Sequence, residues 1–111
     1  MKEIKAFVRP DRAPAVLDVL FRAGIRNITL AHVMAAGACS DASASMNIEF
    51  GCQTNRMAKM EIICLDKEEN EAIRIIQESA CTRQCGDGLI MVSNINRLVN
   101  IRTAAESTEA L

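Results

Sequence analysis

The residues with most capacity for chemistry fall in the run Cys81-Thr82-Arg83-Gln84-Cys85-Gly86-Asp87-Gly88. Two glycines flank Asp87. Without a Cβ, Gly86 and Gly88 can take positive φ and let the backbone approach a ligand closely. Successive N–H groups in such a turn can converge on an anion. An ordinary helix-to-strand turn has the same composition, so the triplet gains meaning only from its surroundings. Cys81 and Cys85 lie four apart at a helix end, a spacing open to a disulfide, a redox sensor, a soft metal ion or two packed thiols. Cys39 and Cys52 bracket a long polar stretch, and His32 precedes it. Such a Cys/His/Met set could hold Zn²⁺ or Cu(I), although no tight ligand spacing marks it. Cys64 sits in an apolar run and reads as core. Glu61, set among Met60, Ile62 and Ile63, needs a partner or a ligand, most simply an ion pair between subunits.

Catalysis has little support. His32 is the single histidine, with no evident Ser or Cys triad partner. No carboxylate pair has a recognisable spacing and no Walker-type loop is present, so the chain reads as a non-enzyme. A formal net charge of −1 leaves no footprint for non-specific nucleic-acid binding. No run is apolar and long enough for a membrane span or a signal peptide, which points to a cytoplasmic protein that does not insert in membranes. Five cysteines are an odd number for a disulfide framework and suit free thiols in a reducing compartment.

These residues have to be positioned by one domain, residues 1–111, with a modest core. Three Phe and no Trp or Tyr make that core aliphatic. Residues 2–8 alternate as a strand that Pro10 stops. Asp11 is a candidate cap and Pro14 suits the first turn of a helix carrying Val16, Leu17, Val19, Leu20 and Ala23, ended by Gly24. Residues 27–34 form a second strand. Residues 35–56 are rich in small and polar types and read as a long functional loop with room for a short hairpin. Lys59 to Leu65 is a third strand. A second helix over 67–80 buries Ala72, Ile73, Ile76 and Ala80 and exposes an acidic face. Leu89 to Ile95 is the fourth strand, and the tail over 104–111 is expected to be flexible. The order βαββαβ predicts an α+β, ferredoxin-like fold with a long loop between strands two and three. Both helices then cover one face of the sheet, and the other face, expected to be apolar, calls for oligomerisation.

With its loop and its Gly-Asp-Gly turn, this layout resembles the PII signalling family over almost the whole chain. The resemblance rests on Arg9-Pro10, Gly24-Ile25 with Ile28-Thr29, Gly37, and Lys59-Met60-Glu61-Ile62. It rests most on Thr82-x-x-x-Gly86-Asp87-Gly88, followed by Ile90, Val92 and Ser93, and on Ile101-Arg102-Thr103. It implies a homotrimer that binds an adenine nucleotide (ADP, AMP or ATP) between subunits and contacts a transporter, enzyme or regulator through residues 35–56. By position, Gly86, Asp87 and Gly88 would line the phosphates, with Arg102 supplying charge from the neighbouring subunit. Thr29, Glu61 and Ile63 would surround the adenine, and Gly37 would let the loop base close. The family usually has a glutamine where this chain has Cys39, a lysine at Leu89, an arginine at Asn100 and a basic residue near Met57. No tyrosine is present for uridylylation. Two alternatives stay open: a metal- or redox-responsive trimer using His32, Cys39, Cys52, Cys81 and Cys85, and a small carboxylate or bicarbonate effector at the loop base.

Overall fold

The structure, a computed structural model, describes residues 1–37 and 44–111. Its elements are β1 (Lys2–Val8), α1 (Ala13–Arg22), β2 (Ile28–Ala35), β3 (Ser45–Asn47), β4 (Cys52–Cys64), α2 (Glu69–Ala80) and β5 (Ile90–Asn94). The main sheet has the order β2-β4-β1-β5, with β3 paired to the outer part of β4, and every pairing is antiparallel. This is the ferredoxin-like α+β arrangement expected from the sequence.

Alternation explains which face is covered. Ile4 lies opposite Ile62 and Val92, and Ala6 opposite Met60 and Ile90, so these side chains share one face. Val16, Leu20, Ala72, Ile75, Ile76 and Ala80 pack against that face to form the core, with Cys64 inside it. The register Glu3↔Ile63, Lys5↔Glu61 and Phe7↔Lys59 puts the alternate set on the opposite, open face. That face is not the apolar surface expected from β2. Lys5 pairs with Glu3 at 3.3 Å and Lys59 with Glu61 at 3.0 Å, and these charges run through the apolar residues of the face.

The helix ends follow local chemistry. After α1, Gly24 takes φ 86°, its N–H bonds the Phe21 carbonyl, and the Ile25 N–H reaches back to Leu20. This pair of bonds satisfies carbonyls the helix would otherwise leave open, and Ile25 is buried. Asp11 does not cap α1: it lies in a short 3₁₀ turn over Pro10–Arg12, and no side chain caps the helix. Before α2, the Glu68 carboxylate accepts the Leu65 N–H at 3.1 Å. Ile75 is buried where Ile73, half-buried, was expected.

Two segments differ from the sequence reading. β4 begins at Cys52, seven residues before the expected Lys59, because β2 runs on to Ala35 beside it and β3 adds a hairpin. That hairpin closes through Asn47, whose side-chain oxygen accepts the Phe50 N–H at 3.0 Å. The chain end is folded on itself: Val99 bridges Glu106, and Asn100 accepts the N–H groups of Arg102 and Thr103. Ala110 is buried there.

Candidate functional site

The turn joining α2 to β5 is built by backbone geometry and one carboxylate. Gly86 and Gly88 have φ 101° and 105°, and Arg83 has φ 63°. The Phe7 N–H donates to the Leu89 carbonyl at 2.9 Å, which ties the turn to the end of β1. A Cβ on Gly88 would stand 1.7 Å from the Phe7 carbonyl oxygen. Gly88 is therefore required by close packing of two backbone segments as well as by its φ.

Asp87 closes the turn. Its carboxylate accepts the Thr82 N–H at 2.7 Å, the Thr82 hydroxyl, and Nε of Arg9 at 2.9 Å. Nη2 of Arg9 also donates to the Cys85 carbonyl at 3.0 Å. Arg9 thus grips both ends of the Cys85–Asp87 segment from the end of β1. Partial burial pushes the Asp87 carboxyl up, but the bonds from Thr82 and Arg9 outweigh this and hold it well below the usual carboxylate range. The charge of Asp87 is spent inside the turn. Arg9 in this bracing role was not foreseen. In the sequence it shows only as a cation at a strand end before a proline and as part of the Arg9-Pro10 pair in the family resemblance, neither of which points to Asp87.

Three of the expected residues meet in one cavity. Gly37, Gly86 and Gly88 line a space of about 390 Å³ with Phe7, Ala35, Ala36, Asn55, Met57 and Leu89. None of these side chains ionises. Anion recognition there would fall to backbone N–H groups and to charges from outside this cavity. Thr29 and Glu61 form a second group as direct cross-strand partners, with Ile63 two residues along the same face. Asp87 lines a different space, between α2 and the turn. Arg102 is exposed in the 100–104 turn and lines neither cavity.

The ion pair expected for Glu61 lies within the chain. Lys59, two residues away on the same strand face, holds it and lowers the carboxyl below its usual value, first through a hydrogen bond. Met60 and Ile62 point to the opposite face, into the core. Cys64 is buried as expected. Cys81 and Cys85 are not bonded to one another: Cys81 is a free thiol and Cys85 is in a disulfide. Cys52 is free and half-buried, and His32 is exposed on β2. Cys39 lies outside the described residues. Among the described residues no three His, Cys, Asp or Glu side chains converge as metal ligands. No helix of the described residues is long and apolar enough to cross a membrane.

A ferredoxin-like α+β domain with a long β2–β4 connection and a braced glycine turn is the class these features define. The family model described as nitrogen regulatory protein P-II matches residues 1–105. The nitrogen regulatory protein P-II of Pasteurella multocida is 30% identical over the full length of both chains. A nitrogen regulatory protein P-II 2 of Methanothermobacter thermautotrophicus is also 30% identical, over 100% of this chain and 97% of its own. The Cyanidium caldarium P-II protein is 28% identical over 98% and 97%. The chain belongs to the PII family of signalling regulators, which act in nitrogen regulation.

Proposed function

We propose that this chain is a homotrimeric regulator that binds an adenine nucleotide in the cleft between subunits and signals to a partner protein through residues 35–56. The observation that carries this reading is the turn itself, with two left-handed glycines held in place by Arg9, Asp87 and Thr82. A preformed turn avoids part of the ordering cost that binding would otherwise incur. Gly37 at the loop base shares its cavity, so a ligand there would touch the loop and the turn together.

Thr29, Glu61 and Ile63 would receive the adenine on the open face. Glu61 lies two residues along β4 from Lys59, the partner of Phe7, and Phe7 is bonded to the turn. The step along the strand is about 7 Å, which leaves the turn within reach of a nucleotide's phosphates. Arg102, exposed in its own turn, is free to serve a neighbouring subunit, where a guanidinium can grip phosphate in two places. Met46, Ile48 and Phe50 are exposed along the hairpin of the loop and offer a partner apolar area. On this reading the chain is a regulator rather than an enzyme and works in the cytoplasm.

Titration calorimetry of ADP, AMP and ATP into reduced, metal-free protein tests this. Saturation near one nucleotide per chain is expected, with binding abolished in Gly86→Trp and a trimer in sedimentation equilibrium. Absence of binding by all three nucleotides would overturn the reading.

A further inference from the structure

Beside the braced turn, on the side of Pro10–Arg12, lies a second concave site that the nucleotide reading does not use. Arg9, Arg12 and Arg83 line a cleft of about 570 Å³ together with Asp11, Cys81, Thr82 and Gln84. Two distant parts of the sequence therefore bring three guanidinium residues to one opening. Arg9 is committed to Asp87 and the Cys85 carbonyl. Arg12 and Arg83 have no ion-pair partner among the described residues. Once the Arg9–Asp87 pair is set aside, Asp11 is the single carboxylate facing two cations.

The backbone adds donors. Among the described residues, the N–H groups of Arg83 and Gln84 have no protein acceptor. Arg83 has φ 63°, a conformation L residues seldom adopt outside tight turns and functional sites. Guanidinium forks and loose amides in one cleft match a tetrahedral oxyanion, which can accept several bonds at once.

We propose that the Arg12–Arg83 cleft binds a phosphate group, as inorganic phosphate or a phosphate monoester, separately from the nucleotide cavity on the open face. The two sites are linked through the turn: Arg9 lines the cleft and bonds Asp87, which stands between the Gly86 and Gly88 of the other cavity. A phosphate bonded at Arg83 and Gln84 abuts the segment that Arg9 holds, so its occupancy can bias the conformation of the turn.

Inorganic phosphate titrated into the ¹⁵N-labelled full chain tests the proposal, with Arg12→Gln/Arg83→Gln compared under the same conditions. Both side chains are exposed, so the double variant should fold, and its amide spectrum reports whether it does. Saturable shifts at the Arg83 and Gln84 amides are expected, with affinity of about 1 mM or tighter at low salt. The double variant should bind about tenfold more weakly or worse. A single Arg83→Lys variant, which keeps the charge and loses the fork, should fall between the two. No saturable shift in the parent, or equal binding by the double variant, would overturn the proposal. Shifts confined to residues 86–89 would place the phosphate on the glycine turn instead and would overturn it equally. None of these outcomes depends on nucleotide binding, so failure of either reading can be told from failure of the other.

Discussion

Replacing Asp87 by Asn tests whether one carboxylate organises the turn. The substitution keeps shape and removes charge. Asp87 now accepts from the Thr82 N–H, the Thr82 hydroxyl and Arg9 Nε. An asparagine offers one acceptor oxygen, and its NH₂ must face a donor, so at least one of the three bonds is lost. Hydrogen bonds to charged groups contribute about 1.5–3 kcal/mol each. The side chains of Arg9 and Asp87 are 16% and 22% exposed, which argues for the lower part of that range. The expected total cost is about 1.5–3 kcal/mol. For a domain of this size that corresponds to a fall of about 5–15 °C in Tm. Urea unfolding of the parent, Asp87→Asn, Arg9→Met and the double variant, at one fixed protomer concentration, measures the cost and the coupling. The double variant should cost clearly less than the sum of the singles. A loss below about 0.5 kcal/mol for Asp87→Asn, or additivity within about 0.3–0.5 kcal/mol, would refute the brace. The pH dependence supplies an independent sign. The folded-state pKa of Asp87 is depressed, so its contribution is fully present above the ordinary carboxylate range and is lost as pH falls through the depressed value. Asp87→Asn should therefore remove part of the parent's acid limb and leave stability near neutrality displaced by a constant amount.

Two further outcomes follow from the geometry. Gly88→Ala should cost more than about 3 kcal/mol, since its Cβ meets the Phe7 carbonyl at 1.7 Å, whereas Gly24→Ala, with φ 86° but nothing within 4 Å, should cost only about 1–2 kcal/mol by denaturant titration. Iodoacetamide should label exposed Cys81 readily in the native protein, but Cys64 only on unfolding, since it is 1% exposed and burial, followed by nearby acidic residues, pushes its thiol pKa up. Cys85 should label only after a dithiol has reduced its disulfide.

The regular elements flanked by clear turn signals were the legible ones. The expected bounds match β1 to the residue and β2, α1, α2 and β5 to within a few residues: β1, α1 and α2 carry their burial period in the sequence, whereas β2 and β5, mostly exposed, show as apolar runs bounded by turn residues. Residues 52–58 escaped because Gln53, Asn55 and Arg56 break that period. There Thr54, Met57 and Ala58 are buried but do not alternate, because β2 and the β3 hairpin both pair with this stretch. The open face differs for a related reason: β2 alone is apolar on both sides, but its neighbour β4 contributes Lys59 and Glu61, and β1, on the far side of β4, contributes Lys5. A strand's own pattern does not reveal the charges that pairing places beside it.

By itself, the sequence determined the order of elements, the fold class and the position of the Gly-Asp-Gly turn between α2 and β5. Those follow from local periodicity and from glycine's conformational range, which are properties of neighbouring residues. Only the tertiary structure decided what Asp87 does. Arg9 lies 78 residues away, and antiparallel pairing of β1 with β5 is what brings its guanidinium to that carboxylate. The same pairing decided that Gly88 must be glycine, because the Phe7 carbonyl occupies the space a side chain would need. It also decided that Arg12 and Arg83 share a cleft. Contacts between residues distant in sequence are set by sheet order and register, and no short stretch of the chain encodes these alone.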